Sequence, residues 1–274
     1  MRTMTSRFWH LSMPKIIIFA LLVVTGVFTP ALSRSASATV VTTTSNGFDA
    51  CSAPSTATMD NWWINSPYYW VGVYIGGVDR SCSQPNLTSS WVSHVVSTGW
   101  NIVPIWAGLQ DPCYSGGGSL FSTDPTTAYS QGQSEASSAV GALIGLGINV
   151  GTSGNAEVVD DLEAFNQTPT CVAAAQAFIK GWDAYLAVSP SQVSGVYGSS
   201  SGSDISALTG SPAPYFIWGA YWDLNQSTLD LPPIPSSAWS NSQRLKQYRG
   251  GHVETYGGVG INIDNDSANG PVYH

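Results

Sequence analysis

Charge is scarce in this sequence, and positive charge is the scarcest. Only 9% of the 274 residues are charged, with nine basic against 17 acidic side chains. Four basic residues (Arg2, Arg7, Lys15 and Arg34) lie in the first 38 positions, which hold no acidic residue, so the remainder carries five basic side chains and a net charge of −12. No basic stripe remains for nucleic acid or an anionic membrane, and we expect neither as a partner.

Long hydrophobic runs are also missing. The segment IIIFALLVVTGVF has 13 residues, fewer than the roughly 18 of a membrane-spanning helix. It follows a basic start and precedes the small residues SASA, as in a secretory signal peptide cleaved after Ala38. We expect residues 1–38 to be that signal and residues 39–274 to be a single secreted, monomeric domain. The alternative is an uncleaved membrane anchor.

Cysteine occurs only four times and never as Cys-x-x-Cys, which argues against zinc or thiol redox chemistry. In an exported protein, four cysteines are expected to form two disulfides.

Eight short runs rich in β-branched and aromatic residues, bounded by Gly, Pro or Ser, indicate strands. They are TTTSNGFDA, YYWVGVYIG, WNIVPIWAG, AEVVDDLEA, QVSGVYG, YFIWGAYW, QRLKQY and VGINIDND. Helical patterns lie between several of them, over residues 87–99, 124–147, 168–190 and 203–210. Alternating strands and helices predict an α/β fold with a parallel sheet, and eight units predict a TIM-type (β/α)8 barrel. The sixth or seventh unit is irregular, because residues 223–242 read as a loop.

Carboxylates follow several of the predicted strands. They are Asp49 after the first, Asp161 and Glu163 at the end of the fourth, Asp223 after the sixth, and Asp264 and Asp266 at the end of the eighth. A barrel enzyme carries its site at the carboxyl ends of its strands, so these acids are expected on one face. Asp161 and Glu163, two residues apart, share a side of the strand, whereas Asp160 points to the helix layer, where it could cap a helix. Clustered carboxylates raise one another's pKa, which suits the acid of glycoside hydrolysis.

The barrel order also predicts how the cysteines pair. Cys51, Cys82 and Cys113 follow the first, second and third strands, and Cys171 lies beyond the fourth. Because neighbouring loops meet most easily, the expected bridges are Cys51–Cys82 and Cys113–Cys171 among three possible pairings.

Further polar and aromatic side chains near the predicted strand ends could line a sugar-binding cleft, although core packing is the competing role for each aromatic one. The candidate substrate-binding residues are Tyr74, Trp106, Gln110, Tyr197, Trp222, Asp223 and Gln247.

Several motifs in order resemble a family of secreted bacterial glycoside-hydrolase-like domains. They are GFDACSAPS, VGVYIGG, NLTSSWVSHVVSTGWNIVPIWAGLQDPC, DDLEAF, GVYGSS, IWGAYWD and QRLKQYRGG…VGINIDND, and they span about residues 44–270. That family is similar to the family 25 glycoside hydrolases, lysozymes that cut peptidoglycan. The resemblance implies Glu163 as general acid, Asp161 as the group that orients or stabilises, and Asp49 and Asp264 as the rest of an acidic floor.

These observations predict a secreted glycoside hydrolase acting on cell-wall polysaccharide, with peptidoglycan as first choice. Two carboxylates suffice for the reaction, so no cofactor or metal is expected. The alternative is a non-catalytic glycan- or wall-binding protein on a hydrolase scaffold. Two acids on one strand leave the stereochemistry open.

Overall fold

The computed structural model describes residues 40–148, 156–188, 192–200, 204–209 and 214–274, and the predicted signal peptide, residues 1–38, lies outside them. The strands of the described part are β1 Val40–Asp49, β2 Trp70–Gly76, β3 Asn101–Trp106, β4 Glu157–Asp161, β5 Val193–Ser199, β6 Phe216–Ala220, β7 Arg244–Tyr256 and β8 Val259–Tyr273. Its helices are α1 Thr56–Asn65, α2 Ser89–Thr98, α3 Pro125–Gly145 and α4 Pro169–Val188, with a short 3-10 helix at Ile205–Leu208. None of these helices has the length and apolar composition of a bilayer-spanning segment.

The eight strands close into a barrel in sequence order, as predicted. Strands β1 to β7 run parallel, but β8 is antiparallel to both β7 and β1, which corrects the expectation of an all-parallel sheet. The reason is local. Gly257 and Gly258 both adopt positive φ, +54° and +80°, and join β7 to β8 as a two-residue hairpin turn.

Strand alternation decides which side chains enter the barrel. One buried cluster fills the interior with Trp70, Val103, Ile105, Val159, Phe216, Trp218, Leu245, Ala268 and Val272. The intervening positions face the helices. Ile102 and Val158, for example, pack in the large cluster that includes Trp62 of α1 and Trp182 of α4.

Helix α2 is capped at both ends. The Thr88 side chain accepts a hydrogen bond from the Trp91 N–H, and Gly99 ends the helix in the left-handed region. Helix α1 was not predicted. Its sequence TATMDNWWIN is polar on most sides, and only Met59 and Trp62 are buried. Its cap is Ser55, whose side chain accepts from the Thr58 N–H.

The predicted loop between β6 and β7 contains no helix. A buried guanidinium, that of Arg244 on the outer side of β7, holds it instead. Arg244 donates to backbone carbonyls of the loop at Thr228, Leu229, Pro235 and Ala238. Charge-assisted hydrogen bonds to these carbonyls replace the internal hydrogen bonds that a helix would supply.

Both disulfides join the neighbouring loops that the barrel order pairs, Cys51 with Cys82 and Cys113 with Cys171. The first links the loops after β1 and β2. The second ties the loop after β3 to the start of α4. Both therefore lie on the face where the parallel strands end.

Candidate active site

The inward parity of the strands gathers carboxyls at the mouth of the barrel. Asp49 ends β1, and Asp264 stands directly opposite it in the β1–β8 register. Asp264 lies near the start of β8, and this strand enters the barrel at the face where the parallel strands end, because it runs antiparallel to them. Asp266, two residues further, is fully buried and accepts a hydrogen bond from the Trp218 indole at 3.0 Å.

Burial and mutual repulsion change the charge of these acids. Desolvation, followed by the neighbouring Asp264 carboxylate, raises the pKa of Asp49 to about 7. Desolvation, Asp49 and Asp264 raise the pKa of Asp266 well above its ordinary value. The acids of the floor therefore bind protons more tightly than exposed carboxyl groups do.

Gln247 of β7 organises this floor. Its side-chain N–H groups donate to Asp49 Oδ2 at 2.8 Å and Asp264 Oδ2 at 3.3 Å. Its carbonyl oxygen accepts from the Tyr197 hydroxyl at 3.0 Å and the Trp222 indole at 2.9 Å. Its amide is therefore bonded within the site and sets the positions of two acids and two aromatic rings.

Asp161 and Glu163 form the second part of the site. Val159 lies in the barrel interior, so Asp161 points the same way at the last position of β4, where it is 6% exposed. Desolvation, Glu163 and Asp49 raise the pKa of Asp161 well above its ordinary value. Glu163 is exposed beyond the strand end, and partial desolvation followed by the charge of Asp204 raises its pKa.

Gln110 fixes the backbone between these two acids. Its side-chain amide donates to the Asp161 carbonyl at 2.7 Å, and its carbonyl oxygen accepts from the Glu163 N–H at 2.9 Å. Gln110 is buried. It was predicted to bind substrate, and in the structure its side chain bonds the backbone that carries the two acids.

Two hollows flank Glu163, and it lines both. One, of about 310 Å³, is bounded by Tyr74, Gln110, Tyr114, Asp161 and the loop residues Asp79–Cys82. The other, of about 440 Å³, is bounded by Tyr197, Ser199, Ala220, Tyr221 and Trp222. Trp222 is 64% exposed and presents its ring to solvent at the second hollow.

Three predicted substrate-binding residues, Trp106, Asp223 and Gln247, are not in the lining of either hollow. Trp106 follows the inward Ile105, so it faces the helices and donates its indole N–H to Glu135 of α3 at 2.6 Å. Asp223 forms an ion pair at 2.8 Å with Lys246, a fully buried cation on the outer side of β7. Pairing offsets the cost of burying that ammonium group.

Asp160 points outward, as strand alternation predicts, but it caps no helix. It is fully buried, and in the described part of the chain neither of its oxygens has a hydrogen-bond partner. Desolvation and the charges of Glu135 and Asp161 raise its pKa well above the ordinary value, which favours the neutral form of this carboxyl group.

Asp204 and Tyr114 are site residues that the sequence analysis missed. Asp204 precedes the 3-10 helix, is buried, and accepts from the Phe165 N–H at 3.2 Å, which holds the turn after Glu163. Tyr114 comes from the loop after β3, whose path the strand pattern does not predict. A sequence signal for Asp204 did exist, because Ser-Asp at residues 203–204 is typical of the start of a helix.

Comparison with known proteins identifies the family of the domain and solved structures with a similar fold. The profile of the Rv2525c-like, glycoside hydrolase-like domain matches residues 60–268. No curated protein sequence matches the chain.

Three solved structures are similar to the chain in fold. The Tat-secreted protein Rv2525c of Mycobacterium tuberculosis, in complex with L-tartrate, has a TM-score of 0.53 at 15% identity, over 82% of this chain and 95% of that one. The spore cortex lytic enzyme SleM of Clostridium perfringens has a TM-score of 0.53 at 14% identity, over 82% of this chain and 67% of that one. The modular autolysin LytC of Streptococcus pneumoniae, in complex with a synthetic peptidoglycan ligand, has a TM-score of 0.53 at 12% identity, over 84% of this chain and 47% of that one.

Proposed function

The chain belongs to the Rv2525c-like, glycoside hydrolase-like domain family, and from that premise we propose that it hydrolyses glycosidic bonds in cell-wall polysaccharide, peptidoglycan first. One observation carries the proposal. Glu163 lies between two hollows, above a floor of buried acids, where a sugar chain crossing the barrel mouth would place a glycosidic oxygen.

Glu163 acts as the general acid in this account. It is exposed enough to touch a leaving oxygen, and its raised pKa favours the protonated form that a general acid requires. Asp161 is held below it through the Gln110 amide, where it orients the sugar or stabilises the positive charge that develops at the anomeric carbon. Asp49 and Asp264, fixed by Gln247, complete the acidic floor.

The aromatic side chains around the floor supply binding surface. Tyr74 lines one hollow, and Tyr197 and Trp222 line the other. Flat aromatic faces pack against the apolar faces of sugar rings, and the hydrogen bonds of Tyr197 and Trp222 to Gln247 couple their placement to that of the acids.

Cell-wall glycan is the proposed substrate because the similar folds belong to wall-active proteins. LytC was solved with a synthetic peptidoglycan ligand, and SleM is a spore cortex lytic enzyme. Two disulfides fit an oxidising, extracellular location. We propose accordingly that residues 1–38 direct export and that residues 39–274 act outside the cell as a monomer without a cofactor.

The test is incubation of the purified protein with peptidoglycan, chitin and a neutral β-glucan, with release of new reducing ends and retention on the insoluble polymer measured together. Release from peptidoglycan is the expected result. If protein with a native circular dichroism spectrum is retained on the polymer but releases no reducing ends, the chain is a glycan-binding protein and not a hydrolase.

A further inference from the structure

The hollow bounded by Tyr74, Asp79–Cys82, Tyr114 and Gly117–Gly118, called here the Arg80 arm, contains a cation beside the acids of the site. We propose that the Arg80 arm binds a sugar that carries a free carboxylate, with Arg80 as its partner. The proposal rests on the proposed function, since it names the kind of sugar that occupies one side of Glu163.

Arg80 has hydrogen-bonding capacity to spare. Its Nη1 donates to the Tyr74 carbonyl at 3.5 Å, whereas a guanidinium carries five N–H donors. In the described ranges, no carboxylate lies within 4.0 Å of it. The adjacent Asp79 is not among the ion pairs of the described residues as a partner of Arg80; both of its oxygens accept instead from the Ser119 N–H, at 3.0 and 2.9 Å.

The walls of the arm are fixed before any ligand arrives. The Cys51–Cys82 disulfide joins two of its loops. Asp79 ties the loop after β2 to the loop after β3 through Ser119, next to Gly118, whose φ of +123° suits glycine. Gln84 donates to the Cys51 carbonyl at 2.7 Å on the outer side. A preformed pocket binds with a smaller entropic cost than a mobile one.

The charge around the arm explains why the ligand would carry one carboxylate. Asp79, Asp161 and Glu163 all line this hollow, so an anionic group placed away from Arg80 meets repulsion. Arg80 compensates one negative charge and offers a planar fork that fits a carboxylate. A doubly charged phosphate would suffer about twice the repulsion from those acids, which favours the singly charged group.

The other cations of the domain do not serve this purpose. Arg244 and Lys246 are buried under the loop between β6 and β7. Lys180 is exposed on α4, and Arg249 lies on β7, 4.0 Å from Glu254. Arg249 is therefore the matched control, being an arginine on the same domain that lines neither hollow.

The test is calorimetric binding to Glu163→Gln, in which the ligand is not cleaved. The probes are peptide-free peptidoglycan strands with free lactyl carboxylates, the same strands with those groups reduced to alcohols, and oligouronates with their own reduced counterparts. We expect the carboxylated form of one pair to bind about tenfold more tightly than its reduced form, and the pair that shows this identifies the source of the carboxylate. Adding Arg80→Gln should abolish the difference, whereas adding Arg249→Gln should preserve it.

Equal binding of carboxylated and reduced strands would overturn the proposal, as would an Arg80→Gln protein that loses affinity for both forms alike, or absence of binding to every probe. The proposed function fails separately. Discrimination by Arg80 without any bond cleavage by the wild-type protein would remove the hydrolase and keep the carboxylate site.

Discussion

Asp161 and Glu163 are two residues apart, but they differ in solvent exposure and therefore in the role that each can have. Asp161 is almost wholly buried and has Glu163 and Asp49 as charged neighbours, so it is the costlier of the two to ionise. Glu163 is exposed and can reach a substrate atom. Partial desolvation raises the pKa of Glu163, as does the charge of Asp204, a buried acid on the far side of the turn that follows it.

Asp204→Asn should move the alkaline limb of the kcat/KM profile to lower pH. The negative charge of Asp204 helps to raise the pKa of Glu163. Without it that pKa falls, and a general acid then loses its proton, and its activity, at a lower pH. Asparagine retains an oxygen for the Phe165 N–H, so a structural effect alone would change the rate and leave the limb in place. The measurement is the pH dependence of kcat/KM for wild type, Asp204→Asn and Asp60→Asn, the last being a surface change on α1 that serves as the control. If the alkaline limbs of wild type and Asp204→Asn coincide, Asp204 does not raise the pKa of the general acid.

Strand parity explains which site residues the sequence could predict. Asp49, Asp161, Gln247 and Asp264 were named from their places near strand ends, and all lie at the barrel mouth. Trp106 was misplaced, because its strand has apolar residues on both faces and its sequence does not say which face is inward. The Gln110 bonds to β4 were not predictable, because they depend on the path of a loop.

At the scale of elements, the barrel departs from regular (β/α) repetition in its last third. A loop held by Arg244 replaces the helix after β6, and a hairpin turn of two glycines makes β8 antiparallel. The irregular sixth unit was predictable, since LPPIP and its neighbours cannot form a helix. The direction of β8 was also readable in Tyr-Gly-Gly-Val, but the count of eight strands favoured a regular barrel.

Arg244→Met should loosen the loop between β6 and β7 and destabilise the protein by about 3 kcal/mol, because several buried carbonyls lose a charged donor. The measurements are urea unfolding and limited proteolysis, with new cleavage expected within residues 223–242. Arg249→Met, at a side chain that is 48% exposed, is the control and should change stability by no more than about 0.5 kcal/mol. Equal effects of the two changes would show that the guanidinium does not hold the loop.

At the scale of the whole molecule, the described part of the chain buries more acids than it pairs. Burial raises the pKa of Asp111 to about 6 and that of Glu157 to about 8, and burial with Asp264 raises that of Asp49 to about 7. Each group binds its proton more tightly in the folded state than in the unfolded state. Each therefore stabilises the fold at low pH, and that contribution is lost as the pH rises through its folded pKa.

Thermal stability should therefore fall between pH 5 and pH 8, opposite to the usual acid denaturation, and Glu157→Gln should reduce the fall. Glu157 is fully buried at the start of β4, with an ordinary pKa of 4.5 and a folded pKa of about 8, so its contribution decreases across that interval. Glutamine keeps the shape and cannot ionise. The measurement is Tm against pH for both proteins; a wild-type Tm that rises over this interval would contradict the account.

The central claim is that Glu163 donates the proton that breaks a glycosidic bond. The most direct measurement is the rate of reducing-end release from the polysaccharide that the wild-type protein degrades best, for wild type, Glu163→Gln and Glu135→Gln. Glu135 contacts Trp106 behind the barrel and serves as the matched control. We predict a loss of about 10²- to 10⁴-fold for Glu163→Gln and a near-wild-type rate for Glu135→Gln. A Glu163→Gln protein that releases reducing ends at the wild-type rate would remove Glu163 from the chemistry and contradict the account.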